Sequence, residues 1–167
     1  MLKPKTMTGT NEQDLKFMRR AIALAEEGMS RKAGGPFGAV VVRDGVVIAG
    51  CYNCVTSQND PTAHAEVLAI REACRKLGRF QLSGCVIYTS CEPCPMCLGA
   101  IYWARPDRVV YACTKEDAAA VDFDDHFVYR EIELPVEKRS ILFNQLGRNE
   151  ALLVFEKWKN NGEFTRY

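Results

Sequence analysis

The chain has 167 residues, of which 47% are hydrophobic and 26% charged, and its formal net charge is +1. This length and composition predict about one soluble globular domain with its own core. The balanced charge gives no general attraction to a polyanion such as nucleic acid. No apolar run is long enough to span a bilayer, which excludes a membrane protein of the helical class.

The first ten residues contain Lys3 and Lys5 with no apolar run behind them. They resemble neither a signal peptide nor an arginine-rich transit sequence, so we expect residues 1–10 to form a flexible tail. A cytoplasmic location follows as an expectation, and thiols stay reduced there. The eight cysteines therefore indicate metal ligands or buried thiols rather than a disulfide framework.

Local patterns predict the elements in chain order. Apolar residues recur at helical spacing from Asn11, and Gly28 fits a helix end. Asp44-Gly45 between two apolar runs predicts a hairpin, and Asp60-Pro61 predicts a helix start. The predicted elements are a helix over 11–28, strands over 37–42 and 46–50, a polar loop over 51–60, a helix over 61–77, a strand over 84–89, a helix over 94–104, a strand over 107–113 and a short helix over 115–120.

This order predicts an α/β fold, a three-layer α/β/α sandwich with helices on both faces of a mixed five-stranded sheet. The last two crossovers should be right-handed, which makes the strands that they join parallel. Beyond residue 121 the pattern weakens. We expect a mostly irregular stretch over 123–135, an edge strand over 141–146 and a terminal helix over 149–159. Residues 11–167 are expected to form a single domain.

Two motifs, each at the predicted start of a helix, offer ligands to one metal ion. They are His64-Ala65-Glu66 and Pro93-Cys94-Pro95-Met96-Cys97. A helix N-terminus carries a positive partial charge, which favours the thiolate forms of Cys94 and Cys97. One imidazole nitrogen and two thiolates suit zinc, and three protein ligands leave a fourth position for water. The sequence therefore predicts a catalytic zinc held by His64, Cys94 and Cys97.

Glu66 lies two residues after His64, so the two side chains would not share a face of a regular helix. We expect His64 in a first, irregular turn, with the metal over the helix end and Glu66 beside it as a general acid and base. Zinc lowers the pKa of bound water toward ~7, and Glu66 would collect and redeliver its proton. Such a pair suits attack by hydroxide on a carbon that bears an exocyclic amine.

Simpler interpretations of these residues stay open. One is a closed structural zinc site with four ligands, namely His64, Cys91, Cys94 and Cys97, although such a site has no use for the His-x-Glu pair. Another is a metal-free core. Cys51 and Cys54 also have metal-ligand spacing, but His126 is the only other histidine. We interpret them as two thiols of a loop or strand end.

The two motifs together resemble those of the cytidine deaminase-like superfamily of zinc deaminases. Within it, the chain resembles the bacterial guanine deaminase family in Gly34-Gly35-Pro36-Phe37-Gly38-Ala39, Asn59-Asp60-Pro61-Thr62-Ala63-His64-Ala65-Glu66 and Thr89-Ser90-Cys91-Glu92-Pro93-Cys94-Pro95-Met96-Cys97. The resemblance continues through Ala100-Ile101-Tyr102-Trp103-Ala104-Arg105-Pro106 and Phe123-Asp124-Asp125 to Tyr167. The zinc motif is shared with tRNA adenosine, cytosine and deoxycytidylate deaminases, whereas Phe123-Asp124-Asp125 and the aromatic C-terminus are the guanine-specific part.

The resemblance implies a single CMP/dCMP deaminase-type catalytic domain over 11–167 with one zinc per chain. It implies that guanine is hydrolysed at C2 to xanthine and ammonia, with zinc-bound hydroxide as the nucleophile and Glu66 as the proton shuttle. Asn53 would hydrogen-bond the purine, Phe37 would line its apolar side, and Asp125 would accept from its N–H groups. Trp103 would border the pocket, or else belong to the core.

The resemblance also implies a homodimer in which the C-terminal segment, 149–167, is exchanged between subunits. Tyr167 would then cap the active site of the other subunit. Phe155, Trp158 and Phe164 offer apolar anchors for such docking, and they equally suit packing within one chain.

Two features depart from the family pattern. Asp122 precedes Phe123 where the family often has glycine, and cysteines flank Asn53 where polar residues are expected. Three rival functions stay open: a guanosine deaminase, a tRNA adenosine deaminase and a non-catalytic zinc-stabilised scaffold. Residues 149–167 hold three acidic and three basic side chains, a balance that disfavours RNA.

Overall fold

Helices and strands alternate along the first two thirds of the chain. The computed structural model describes residues 11–165. Its elements are α1 (Asn11–Ser30), β1 (Gly38–Arg43), β2 (Val46–Tyr52), α2 (Val55–Gln58), α3 (Ala65–Leu77), β3 (Cys85–Cys91), α4 (Pro95–Ala104), β4 (Arg108–Cys113), α5 (Lys115–Ala119), α6 (His126–Glu133), a 3₁₀ turn (Val136–Lys138) and α7 (Arg148–Asn160). Within residues 11–165, none of the helices combines the length and apolar character that a membrane span requires.

One mixed sheet organises these elements, with strand order β2-β1-β3-β4. β1 is antiparallel to both of its neighbours, and β3 is parallel to β4. The strands on either side of α3, and those on either side of α4, therefore run in the same direction. The predicted α/β class and these parallel crossovers are confirmed.

The sheet has four strands in the described residues where the sequence predicted five. The missing strand is the one expected over 141–146, which forms no strand. The apolar side chains there stay open to solvent, since Ile141, Leu142 and Leu146 are 72%, 82% and 96% exposed. An apolar run has the local pattern of a strand, but it becomes one only when its backbone pairs with a neighbour.

Alternate residues of β1 face two separate parts of the core. Val40 and Val42 pack in a cluster with the α1 residues Phe17, Met18, Ala21 and Leu24. Ala39 and Val41 pack on the opposite face against α3 and α4. A central strand buried on both faces reads as a continuous apolar run, which Ala39-Val40-Val41-Val42 is. Each buried valine contributes about 1.5–3 kcal/mol to folding. The three layers follow from this alternation.

Several boundaries differ from those predicted. α1 continues past Gly28 to Ser30. A Cβ added at Gly28 would lie 2.7 Å from the Cβ of Tyr52, so this glycine allows close packing on β2 instead of ending the helix. β2 extends to Tyr52, and α2 occupies part of the predicted polar loop. Part of the stretch expected to be irregular forms the eight-residue helix α6. Its amphipathic pattern covers only about two helical turns, which is too short to stand out in the sequence.

The start of α3 also moves, from the predicted Pro61 to Ala65. The reason is local. The carboxylate of Asp60 accepts hydrogen bonds from the backbone N–H and the hydroxyl of Thr62, at 2.8 and 2.7 Å. These bonds form a turn instead of an N-cap. His64 takes the N-cap position.

The chain divides into two compact units, one ending at Asp125 and one over His126–Tyr167. The first contains the sheet and α1 to α5. The second contains α6 and α7, and neither helix has a buried residue. Within it, the rings of Trp158 and Phe164 stack at a centroid distance of 4.4 Å. The single domain over 11–167 stays a prediction.

Candidate active site

Two helix N-termini bring the predicted ligands together. His64 is the N-cap of α3 and Cys94 the N-cap of α4, both with extended backbone and neither with a side-chain cap bond. Their side chains instead converge. The Nδ1 atom of His64 lies 3.6 Å from the Sγ atom of Cys94 and 3.5 Å from that of Cys97. The three ligand atoms lie within 4.8 Å of one another.

This cluster fits zinc. Bonds of about 2.0–2.1 Å to nitrogen and 2.3 Å to sulfur in a tetrahedral site place nitrogen and sulfur about 3.6 Å apart. The observed separations of 3.5 and 3.6 Å meet that requirement. A hydrogen bond from Cys97, together with the contact to His64, lowers the pKa of the Cys94 thiol, so the thiolate that binds metals is already favoured.

Glu66 lies in the first turn of α3 and is 5% exposed. Its Oε1 atom accepts a hydrogen bond of 3.1 Å from the hydroxyl of Thr89, and its Oε2 atom lies 3.5 Å from the Sγ atom of Cys97. Burial raises the pKa of this carboxyl. A raised carboxyl pKa, next to the ligand cluster, suits a group that takes up and returns protons near neutral pH.

The closed four-ligand alternative is not supported by the position of Cys91. This thiol donates to the backbone carbonyl of Thr114 at 3.4 Å and is outside the ligand cluster. Burial raises its pKa to about 11, which disfavours the thiolate. Cys51 and Cys54 are likewise outside any cluster of three or more possible ligands in residues 11–165. They border a shallow surface pocket of about 410 Å³.

Backbone hydrogen bonds join Asn53 to Phe37 and the residue after Asn53 to the residue before His64. The backbone N–H of Asn53 donates to the carbonyl of Phe37 at 2.9 Å, and the N–H of Cys54 donates to the carbonyl of Ala63 at 2.9 Å. The second bond ties the neighbour of Asn53 to the neighbour of His64. Asn53 is 4% exposed, which is unusual for an amide unless its polar atoms are satisfied.

The segment that contains Asp125 approaches the site through Phe123. The rings of Phe37 and Phe123 meet edge to face at a centroid distance of 5.0 Å. Asp125, two residues later, is partly buried. Asp122 has φ of 69°, in the left-handed region that favours glycine, so the backbone form expected of a glycine persists although the residue differs.

Two further candidates, Trp103 and Tyr167, do not belong to the group that the structure assembles from the described residues. Trp103 lies on α4 with 65% of its surface exposed, so it is not a core residue of this chain. Tyr167 lies outside the described residues. The directly assembled group therefore consists of His64, Glu66, Cys94 and Cys97.

Sequence reasoning missed two polar residues of β3. Thr89 and Ser90 are 1% and 9% exposed, and the hydroxyl of Ser90 accepts from the backbone N–H of Gly38 at 3.0 Å. A signal was available. Threonine and serine interrupt an otherwise apolar buried strand just before the Cys-x-x-Cys motif, and buried hydroxyls need partners.

Comparison with known proteins identifies relatives over most of the chain. Residues 11–113 match the family model described as the cytidine and deoxycytidylate deaminase zinc-binding region. The chain is 58% identical to guanine deaminase from Bacillus subtilis, across 86% of this chain and 92% of that protein. It is 33% identical to the tRNA-specific adenosine deaminase of Aquifex aeolicus, across 87% and 95% of the two chains.

A solved structure agrees with these matches. The X-ray structure of guanine deaminase from Bacillus subtilis superposes with a TM-score of 0.90 at 54% identity, and the alignment covers 95% of this chain and 99% of the other.

Proposed function

The chain belongs to the cytidine and deoxycytidylate deaminase zinc-binding family, and we propose that it hydrolyses guanine to xanthine and ammonia. The observation that carries this proposal is the convergence of one imidazole and two thiols beside a buried carboxylate. The similarity to a guanine deaminase over most of both chains supports guanine as the substrate.

His64, Cys94 and Cys97 would hold one zinc ion in this proposal. When bound there, zinc supplies acidity to a water molecule, so that the water can attack at neutral pH. The reaction replaces the amine at C2 of guanine by oxygen. One water is consumed for each xanthine and ammonia formed.

Glu66 would move the protons of this reaction. As a carboxylate it accepts the two protons of the attacking water in turn, and as the acid it returns the first to a purine ring nitrogen and the second to the departing amine. Burial raises the pKa of this carboxyl, which favours its protonated form and so supports its role as the acid that returns protons. The hydroxyl of Thr89 would hold its Oε1 atom in place.

The residues around Asn53 would select the base. Asn53 would hydrogen-bond the purine, and Phe37 would cover its apolar side. Asp125 would accept from purine N–H groups, since a carboxylate is the acceptor suited to a donor-rich edge. Trp103 would border this pocket, and Tyr167 would cap it.

We further propose a cytoplasmic homodimer that exchanges the C-terminal segment 149–167. The apolar side chains left open on α7 support a second chain as the missing cover, since Leu153, Val154 and Phe155 are 56%, 63% and 69% exposed. The eight cysteines, none in a disulfide within the described residues, support a reducing compartment.

Ammonia release from a panel of substrates tests the reaction and the base. The panel contains guanine, guanosine, adenine, cytosine, cytidine and a tRNA anticodon stem-loop. Turnover of guanine is expected. Activity on the stem-loop with none on guanine would favour the tRNA adenosine deaminase relatives, and activity on guanosine alone would indicate a deeper pocket.

Two variants test the catalytic and dimeric parts. Glu66→Ala should keep zinc and lose turnover, whereas a non-catalytic scaffold would keep its function. Removal of residues 164–167 should raise KM for guanine or abolish turnover with zinc still near one per chain. Unchanged kinetics would contradict the capping role of the C-terminal segment.

A further inference from the structure

The side chain of Asn53 has its carbonyl oxygen committed to the protein backbone. The Oδ1 atom accepts from the N–H of Gly35 at 3.3 Å and from the N–H of Val55 at 3.1 Å. Two donors at one position require the oxygen there, because the NH₂ group would face them with donors of its own. The amide NH₂ group is therefore the part of Asn53 left for a ligand.

Gly34 provides the space in which this oxygen sits. A Cβ added at Gly34 would lie 2.0 Å from the Oδ1 atom of Asn53, 3.0 Å from its Cγ atom and 2.9 Å from its backbone carbonyl oxygen. Real Cβ atoms do not approach other heavy atoms so closely, so any side chain here displaces the amide. The φ angle of Gly34 is not positive, which means that space, and not backbone conformation, requires the glycine.

The next glycine faces the aromatic side of the same site. A Cβ at Gly35 would lie 2.9 Å from a ring carbon of Phe37 and 3.0 Å from one of Phe123. The two glycines thus separate the amide of Asn53 from the edge-to-face ring pair. Neither glycine was among the predicted site residues.

We propose that Gly34 is a positioning residue, which fixes the amide of Asn53 so that its NH₂ group faces the substrate. The group that it meets is then a hydrogen-bond acceptor on the purine, a ring nitrogen or a carbonyl oxygen. This inference rests on the proposed deamination of a purine.

Gly34→Ala is the test variant. The amide of Asn53 turns away and one substrate hydrogen bond is lost, so KM for guanine should rise about tenfold while kcat changes less. Zinc per chain and the cooperative unfolding transition should stay as in the native chain. Gly99→Ala is the matched control, because a Cβ there meets no atom within 4 Å.

A double-mutant cycle separates positioning from a general structural effect. In an Asn53→Ala background, Gly34→Ala should raise KM by a clearly smaller factor than in the native chain, because the amide is already absent and only the contact with the backbone oxygen of residue 53 remains. Asn53→Asp tests the donor directly. It keeps an oxygen for the two backbone N–H groups and replaces the NH₂ group by an acceptor, so KM should rise without any crowding at Gly34.

The outcomes that overturn the inference are distinct from those that overturn the proposed function. A native chain without turnover on guanine removes the proposed substrate, and the cycle is then run on the base that the panel identifies. A native chain that turns over guanine, with Gly34→Ala equal to it or with the same factor in both backgrounds, overturns the role of Gly34. Loss of zinc or of cooperative unfolding in Gly34→Ala also overturns it, since the glycine would then serve the fold.

Discussion

Neighbouring residues of β3 bind two carboxylates on opposite faces of the sheet. On the face of α1, the hydroxyl of Tyr88 donates to Asp14 at 2.6 Å. On the face of α3, the hydroxyl of Thr89 donates to Glu66 at 3.1 Å. The donors are alike and adjacent in sequence, yet the two carboxyl groups have opposite pKa shifts.

The difference comes from a cation and from burial. Two nitrogens of Arg108 donate to Asp14 at 2.6 and 2.8 Å, and these bonds lower the pKa of the Asp14 carboxyl. The carboxylate of Glu66 accepts a hydrogen bond from a hydroxyl and lies beside a thiol, and burial raises its pKa. One carboxylate is therefore a permanent charge that ties α1 to β4. The other can exchange a proton.

Glu66→Gln should have the largest effect, and that effect should be on catalysis and not on stability. The amide fills the same space but cannot carry a proton, so kcat should fall about 10²–10⁴-fold. Zinc content should not change, and the free energy of unfolding should stay equal or rise, because a buried ionisable group is removed. Ammonia release, metal analysis and urea unfolding check this. More than a tenth of native turnover would contradict the assigned role of Glu66.

Asp14→Asn should have the opposite effect: a loss of stability with native turnover. It breaks a two-pronged ion pair whose side chains are 18% and 23% exposed, at a cost of about 2 kcal/mol in the free energy of unfolding. Turnover per folded molecule should remain native, since this face does not contact the ligand cluster. Urea unfolding and kcat check this prediction. A large fall in kcat without loss of stability would contradict the assignment of a purely structural role to the α1 face.

The stabilisation from Asp14 should also depend on pH in a defined direction. Its pKa is lower in the folded chain than the unfolded value of about 3.9. Its contribution is therefore present above about pH 4 and is lost as the pH falls through the folded pKa. The difference in unfolding free energy between the native chain and Asp14→Asn should be constant from about pH 7 to 5 and shrink below 4. A difference that grows on acidification has the wrong sign.

Removal of each hydroxyl should give the smallest and most closely matched effects. Thr89→Val removes the hydroxyl that donates to the Oε1 atom of Glu66, so kcat should fall about tenfold with stability nearly unchanged. Thr89→Ser keeps a hydroxyl and should retain the native rate. Tyr88→Phe should cost about 1 kcal/mol of stability and leave kcat native. Equal effects of the two variants on kcat would mean that the faces are not separate.

The ligand cluster was largely predictable because each ligand belongs to a short sequence motif at the start of a helix. His64 and Cys94 are the N-caps of α3 and α4. Glu66 follows His64 by two residues and Cys97 follows Cys94 by three, so local sequence alone brings each pair together. The N-cap position of His64 also explains how His64 and Glu66 reach one site. The start of α3 was misplaced, from Pro61 to Ala65, because Asp60 bonds to Thr62 instead of capping the helix.

The ion pair on the opposite face was not predictable in this way. Asp14 and Arg108 are far apart in sequence, and nothing near either residue indicates the other. The alternation of β3 assigns Tyr88 and Thr89 to opposite faces but cannot name their partners. The space at Gly34 was equally hidden, because it depends on where Asn53 lies in three dimensions.

The separate origins of the three ligands make metal uptake and folding one linked equilibrium. Cys94 and Cys97 begin α4, whereas His64 begins α3, and the two helices are held together by packing on the same face of the sheet. An unfolded chain has the Cys-x-x-Cys pair but not the assembled set, so its affinity for zinc is weaker. Free zinc at 100 times the native Kd would add about 2.7 kcal/mol to the native state by mass action. With zinc bound by these three residues, the stability of this chain should depend on the free zinc concentration as well as on its amino acids.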